Sequence, residues 1–322
     1  MAGLLERLGI ERPIVQAGMG GGIATHELAA AVSEAGGLGT LGLADPGPLR
    51  EELDAARQLT GRPIAINLLL PFAGRGHWEV ATRADVVVTF WGPPRRRNAG
   101  VWLHQVGSVE EASAAHAAGA DGVIVQGIEA GGHVRGRTPA LELLERTLAS
   151  LDSEFPVLLA GGIATGADLR AALEAGAEAG VLGTRFVMSE ESGAHEGYRR
   201  RLAVAHRTHL TELFGLGWPA THRVVANAAT ERWLGRGERG PAAVRALNRA
   251  TAPLLGRVPS SLALRMAATQ RPAMPLFGPL APARGAPEAM LDAAPLYAGE
   301  TVARIDDVKP AGEIVSSLAD AL

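Results

Sequence analysis

Leu158–Met188, LLAGGIATGADLRAALEAGAEAGVLGTRFVM, reads as two consecutive strand ends joined by a short helix, with glycine closing each strand. Val157–Ala160 is an apolar run of the buried-strand type, and Gly161 and Gly162 leave backbone N–H groups uncovered where the chain turns. Ala167, Leu169, Ala172 and Leu173 recur at helical spacing over Gly166–Ala175, and Gly176 is a stop signal. A second strand, Gly180–Leu182, then ends in Gly183 and Thr184. A (β/α)8 barrel commonly holds an anion between the loops after its last two strands, on amides and a helix N-terminus. Tight turns alone would also use such glycines; two ends in register favour the anion site.

Outward from this stretch the same rhythm repeats. Further candidate strands are Ile14–Ala17, Leu38–Leu43, Pro63–Leu69, Val86–Phe90, Val101–Val106 and Gly122–Gln126, and with Pro156–Ala160 and Gly180–Gly183 they make eight. Between them His26–Glu34, Pro48–Thr60, Val109–Ala118 and Leu141–Ser150 read as helices. Runs apolar on nearly every residue, such as VVVTF and VLLA, suit a parallel sheet covered on both faces. The class is therefore α/β, and the eightfold count favours a closed (β/α)8 TIM barrel over an open doubly wound sheet.

After Met188 the rhythm breaks. Arg199–His206 and Ala242–Arg249 look helical, Pro272–Pro295 reads as an extended loop, and Val308–Leu322 as the closing barrel helix. Residues 1–188 with 300–322 are expected to form the barrel, and 189–299 an inserted helical and loop region acting as lid or second subdomain.

Composition narrows the chemistry. The chain has 322 residues, a formal net charge of −3 and no cysteine. Disulfides, thiolate catalysis, iron–sulfur clusters and cysteine-ligated zinc are thereby excluded, and redox chemistry has to come from a bound cofactor. Basic residues read as scattered, with Arg95-Arg96-Arg97 as a solvated loop, so neither nucleic acid nor an anionic membrane is expected as a partner. No apolar run approaches the ~20 residues of a membrane span, and no signal-peptide pattern opens the chain. A cytoplasmic protein is the expectation.

Barrel sites lie at the C-terminal ends of the strands. The first strand ends in Gln16-Ala17-Gly18-Met19-Gly20-Gly21-Gly22, which lets a flat ring or its phosphate approach the backbone, with Met19 as a soft apolar surface. Asn67 is an amide inside the apolar run INLLL and needs partners, either a ligand's polar edge or neighbouring backbone. Thr89-Phe90-Trp91 ends the fourth strand as an aromatic wall, and His104-Gln105 closes the fifth. The sixth runs into Gln126-Gly127-Ile128-Glu129-Ala130-Gly131-Gly132-His133, an imidazole on a thin glycine loop and a candidate general base. Glu129 reads as an exposed carboxylate. His206 and His209 read as a solvated helix face with no third ligand, so no metal site is expected. GMGGG lacks the dinucleotide fingerprint.

Taken together, PIVQAGMGGG, AINLLL, VQGIEAGGH, LLAGGIATGADL and VLGTRFVMSEES resemble the nitronate monooxygenase family, formerly the 2-nitropropane dioxygenases. The tail LYAGETVARIDDVKPAGEIV extends the resemblance over most of the chain. Several of these motifs are shared with flavin enoyl-acyl-carrier-protein reductases and a group of NADH:quinone reductases. The resemblance implies a barrel binding FMN, with Gly161, Gly162, Gly183 and Thr184 on the phosphate. Gly18, Met19, Gly20, Asn67 and Gln126 would lie along the ring system, and Gly131, Gly132 and His133 at its reactive edge. Trp91, His133 and Tyr297 are the expected substrate contacts. The implied reaction is oxidation of an alkyl nitronate by O2 to a carbonyl compound and nitrite, with His133 taking the α proton of a neutral nitroalkane. An NAD(P)H-dependent reductase of a quinone or enoyl thioester, and a non-catalytic barrel holding a phosphorylated ligand, are the alternatives; a homodimer stays open. The chain departs from the resemblance at Gly18 and His26, where many members carry proline.

Overall fold

The computed structural model describes residues 3–97, 100–235, 237–256 and 258–322. Its strands are β1 (Ile14–Gln16), β2 (Gly39–Leu41), β3 (Ile64–Leu69), β4 (Val86–Phe90), β5 (Val101–Val106) and β6 (Gly122–Gln126). There follow β7 (Gly132–His133), β8 (Val157–Ala160), β9 (Gly180–Leu182), β10 (Thr208–Thr211) and β11 (His222–Val225). Eight of them form one parallel sheet in the order β1-β9-β8-β6-β5-β4-β3-β2. The ring closes at a parallel bridge between Val15 and Leu38, where Leu38 N donates to Ile14 O and Gln16 N to Leu38 O, each at 2.9 Å. The predicted barrel is present.

Each strand is apolar on both faces because both faces are covered. Val15, Leu38, Ala65, Leu103, Ile124 and Leu158 point inward and share one core. Val123, Val125, Val157 and Leu159 alternate with them and pack outward on Leu143, Leu144, Leu169 and Ile314 of the surrounding helices. Leu4 and Ile10 join the inner core, so the short helix Leu4–Leu8, not anticipated from the sequence, plugs the end of the barrel opposite the site.

Several helix limits shift. The second predicted helix starts at Pro46, which supplies a preset φ directly after Asp45. Arg199–His206 moves to Glu196–Ala203, opened by His195, whose ring accepts from Gly197 N at 3.0 Å. Ala242–Arg249 extends to Leu255, and the closing helix shrinks to Ala311–Ala319 behind Pro310. His209 lies on β10, so His206 and His209 share no helix face.

The region after Met188 builds a small antiparallel sheet, β10-β11-β7, whose third strand belongs to the barrel loop after β6. In it His222 faces His133 and Arg223 faces Gly132. The insertion and the histidine loop are therefore one hydrogen-bonded structure.

Candidate active site

A cavity of about 1710 Å³ lies over the C-terminal strand ends. It is lined by every glycine of the predicted site, by Met19, Asn67, Gln126 and Thr184, and by Trp91, His133 and Tyr297. From the insertion come Trp218, Leu264, Met266 and Leu280.

At the end of β8, Gly161 and Gly162 have φ of +105° and +77°, a region that side chains rarely enter. The N–H groups of Gly161, Gly162 and Gly183 donate to no backbone carbonyl among the described residues. The helix Gly166–Glu174 is closed by its own capping box, in which Asp168 N donates to Thr165 Oγ1 and Thr165 N to Asp168 Oδ2. Burial pushes the Asp168 carboxyl up, but Arg304 and the amides of Ala164 and Thr165 outweigh it and hold it below the ordinary range. With that helix end satisfied internally, the glycine amides are left as open donors at the strand ends. Thr184 Oγ1 accepts from Gly299 N at 2.9 Å and ties the end of the insertion back to the barrel.

On the first loop, a Cβ at Gly18 would lie 2.3 Å from the Asn67 Cβ. Glycine there lets the buried Asn67 come close, and its Nδ2 donates to Gly18 O at 3.3 Å. The other departure from the family resemblance, His26, opens a helix whose first amide donates to Glu52 Oε2 at 2.6 Å, a bond that proline would lose.

His133 sits deep in the cavity wall. Its ring stacks on Trp218 with centroids 3.7 Å apart, and Tyr297 and His222 lie at 5.3 and 5.6 Å. Its Nε2 has no hydrogen-bond partner. Burial, and secondarily His222, lowers its pKa well below the ordinary value, so the ring is neutral near pH 7 and open to accept a proton, while the same burial weakens it as a base. His222 is neutral too: its Nδ1 donates to Ala220 O at 2.9 Å, its Nε2 accepts from Phe214 N at 3.2 Å, and burial brings its pKa to about 4. Gln126 clamps the histidine's backbone on both sides, Nε2 donating to His133 O at 3.0 Å and Oε1 accepting from Arg135 N at 2.9 Å. Each end of its carboxamide thus gives one hydrogen bond to the loop.

Trp91 ends β4 with φ of +60°, a strained conformation for a bulky residue and one worth about 1–3 kcal/mol. Its indole lies 5.5 Å from Trp218, and the Arg135 guanidinium sits 5.1 Å over its face. Phe72 meets Trp218 edge-on at 5.2 Å and completes an aromatic wall. Tyr297 also borders the cavity, but its hydroxyl donates to Pro279 O at 2.7 Å. His104 lies beneath the site on Thr89, 2.7 Å from Nδ1 to Oγ1, and only Gln105 of that pair reaches the cavity.

Two residues are placed differently from expectation. Glu129 is no solvated carboxylate: both its oxygens accept from Ala140 N, at 2.9 and 3.1 Å, and cap the helix Ala140–Leu148. Trp218, the closest ring to His133, was not singled out; an aromatic in the glycine- and proline-bounded loop Gly215-Leu216-Gly217-Trp218-Pro219 was the available signal. Among the described residues no group of three or more His, Cys, Asp or Glu could hold a metal ion, and no helix is long and apolar enough to cross a membrane.

The sequence matches the nitronate monooxygenase family in two overlapping segments, residues 3–91 and 81–321. The chain belongs to that family. It is a flavin-type oxidoreductase. A nitronate monooxygenase of Paraburkholderia phytofirmans is 34% identical over 267 residues, 65% of this chain and 72% of the relative. A (3aS,4S,5R,7aS)-5-hydroxy-7a-methyl-1-oxo-octahydro-1H-indene-4-carboxyl-CoA dehydrogenase of Mycobacterium tuberculosis is 36% identical over 211 residues, 62% of this chain and 59% of the relative. Among solved structures, nitroalkane oxidase from Streptomyces ansochromogenes superposes with a TM-score of 0.76 at 30% identity, covering 99% of this chain and 97% of that one.

Proposed function

We propose that this family member binds FMN and oxidises alkyl nitronates with O2, two nitronates and one dioxygen yielding two carbonyl compounds and two nitrites. The observation that carries this reading is the coexistence in one cavity of free glycine amides at two strand ends and a neutral imidazole whose Nε2 is buried without a partner. Gly161, Gly162, Gly183 and Thr184 fit the phosphate of FMN, because open backbone donors stand there where a Cβ on the first two would be strained. Gly18, Met19, Gly20 and Asn67 fit its ring. The flavin, when bound, supplies the redox chemistry between substrate and oxygen.

The chain's own residues do the rest. His133 accepts the α proton of a neutral nitroalkane; burial disfavours its cationic form, so the proton is passed on or paired with the nitronate. Trp91, Trp218 and Tyr297 wall the substrate off from water, and residues 189–299 serve as the cover over the barrel mouth. With FMN added, the protein is expected to turn yellow, consume O2 with a small nitronate and release nitrite. His133→Asn should slow neutral nitroalkanes far more than preformed nitronates; equal losses would refute the base assignment.

One observation favours a second reading. A cavity of about 1710 Å³ exceeds the roughly 300–1,000 Å³ of small-molecule sites, leaving room beside a flavin for NAD(P)H or a bulky acyl substrate. Anaerobic bleaching of the flavin by NADH or NADPH would identify that reductase.

A further inference from the structure

Two ring nitrogens of cavity-lining residues are buried without a hydrogen-bond partner: His133 Nε2 and Trp91 Nε1. The first belongs to the proposed base. The second has no part in the reaction so long as Trp91 serves only as a wall. An indole N–H can only donate, and a buried donor left unpaired costs stability.

Strain and charge meet at the same residue. Trp91 is the one non-glycine residue with positive φ among those described, and strain of this kind collects where a site fixes a side chain against local preference. The Arg135 guanidinium lies over its ring face and is itself held by Glu111, Nε donating to Oε1 at 2.7 Å. A cation fixed on the face of an indole draws electron density from the ring and makes its N–H a stronger donor. Trp218 meets both rings, His133 at 3.7 Å and Trp91 at 5.5 Å between centroids, so no more than one indole separates base and donor. Both nitrogens are closed to solvent, so a ligand reaches them by moving a ring. Trp218, on the loop between Gly215 and Pro219, is the ring in contact with both.

A nitroalkane presents the two complements on adjacent atoms: an acidic hydrogen on its α carbon, and oxygens on the nitrogen bonded to that carbon. When the proton leaves, the C–H electron pair becomes the C=N bond and the negative charge moves onto the oxygens. A donor bonded there is worth more in that state than with the neutral substrate. We propose that Trp91 Nε1 donates a hydrogen bond to a nitro or nitronate oxygen of the substrate while His133 takes the α proton. This rests on the reading that places nitronate chemistry at His133 and adds the group that receives the charge.

Nuclear magnetic resonance of the isotope-labelled, FMN-loaded full chain reads this bond directly, since each of the five tryptophans gives one indole N–H signal. Trp91→Phe, checked by thermal melting, assigns the Trp91 signal. Trp102 and Trp233, whose N–H groups already donate to Thr89 Oγ1 and Pro272 O, are internal controls. The probes are nitrate and 2-methyl-2-nitropropane, which carry the oxygens but no α hydrogen and so are not consumed. The Trp91 proton should move downfield with at least one of them while the two controls stay in place. In turnover, Trp91→Phe should keep its flavin and lower kcat/KM for a preformed nitronate by about tenfold or more, a substrate that His133→Asn largely spares. A Trp91 signal unmoved by both probes would overturn the proposal, and so would a folded, flavin-loaded Trp91→Phe protein with wild-type kcat/KM. Should the wild type release no nitrite, the reaction reading falls by itself, and the Trp91 signal still decides whether the indole holds the oxygens.

Discussion

The Trp218 indole lies on the His133 imidazole with planes 21° from parallel. One ring comes from the insertion and the other from the barrel loop after β6, and the β7–β11 pairing holds the two segments in register. The insertion therefore builds one wall of the histidine's socket and contributes to the burial that keeps the imidazole neutral.

Removing that wall should change the pH at which the base works. Burial is the main cause of the lowered His133 pKa, so Trp218→Ala, which admits water, should raise it toward the ordinary value of about 6.5. A base must be unprotonated, so activity falls as pH drops through its pKa. The acidic limb of kcat/KM for a neutral nitroalkane should move to higher pH in Trp218→Ala and stay near its wild-type place in Trp218→Phe. An unmoved limb in the alanine variant would remove Trp218 from this role.

Two buried histidines make stability depend on pH. Burial lowers the pKa of His222 and of His104 to about 4, whereas in the unfolded chain each titrates near 6.5. Between these values the unfolded chain binds more protons, so each contribution is complete above pH 6.5 and is lost as pH falls toward 4. For His222 the full effect is about 3 kcal/mol. Urea unfolding at pH 7.5, 6 and 5 should show the decline, with a shallower slope in His222→Gln; the same slope in both proteins would contradict the burial argument.

Gly18 should tolerate no side chain while Asn67 stays where it is. A Cβ there would stand 2.3 Å from Asn67 Cβ and 3.1 Å from Thr40 Cγ2. Gly18→Ala should lose about 1–3 kcal/mol and retain FMN poorly. Adding Asn67→Gly, which removes the colliding atom, should recover stability in thermal melts without recovering flavin retention. A stable, flavin-retaining Gly18→Ala protein would mean that the loop adapts freely.

The barrel was legible because its strands are buried on both faces. Val157–Ala160 and Val86–Phe90 are apolar at every position or nearly so, and glycine marks their site ends. Some short elements were not. A strand of two residues, Gly132–His133, has no period of its own and exists only through its pairing with β11. The helix Arg75–Ala81 is short and opens on polar residues. Gly161, Gly162 and His133 could be placed on the cavity from their positions at strand ends, but Trp218 comes from a loop about 85 residues beyond the histidine, and only the fold brings the rings together. Glu129 was misjudged because its partner, the first amide of the next helix, is invisible in a list of side chains.

The central claim is that amides at the ends of β8 and β9 hold the phosphate of FMN and so set its ring beside His133. A crystal structure of the FMN-loaded protein measures this directly. The account predicts phosphate oxygens about 3 Å from the N–H groups of Gly162 and Gly183, with the ring running past Met19 and Asn67 to the imidazole. A phosphate bound elsewhere, or a ring directed away from His133, would contradict it.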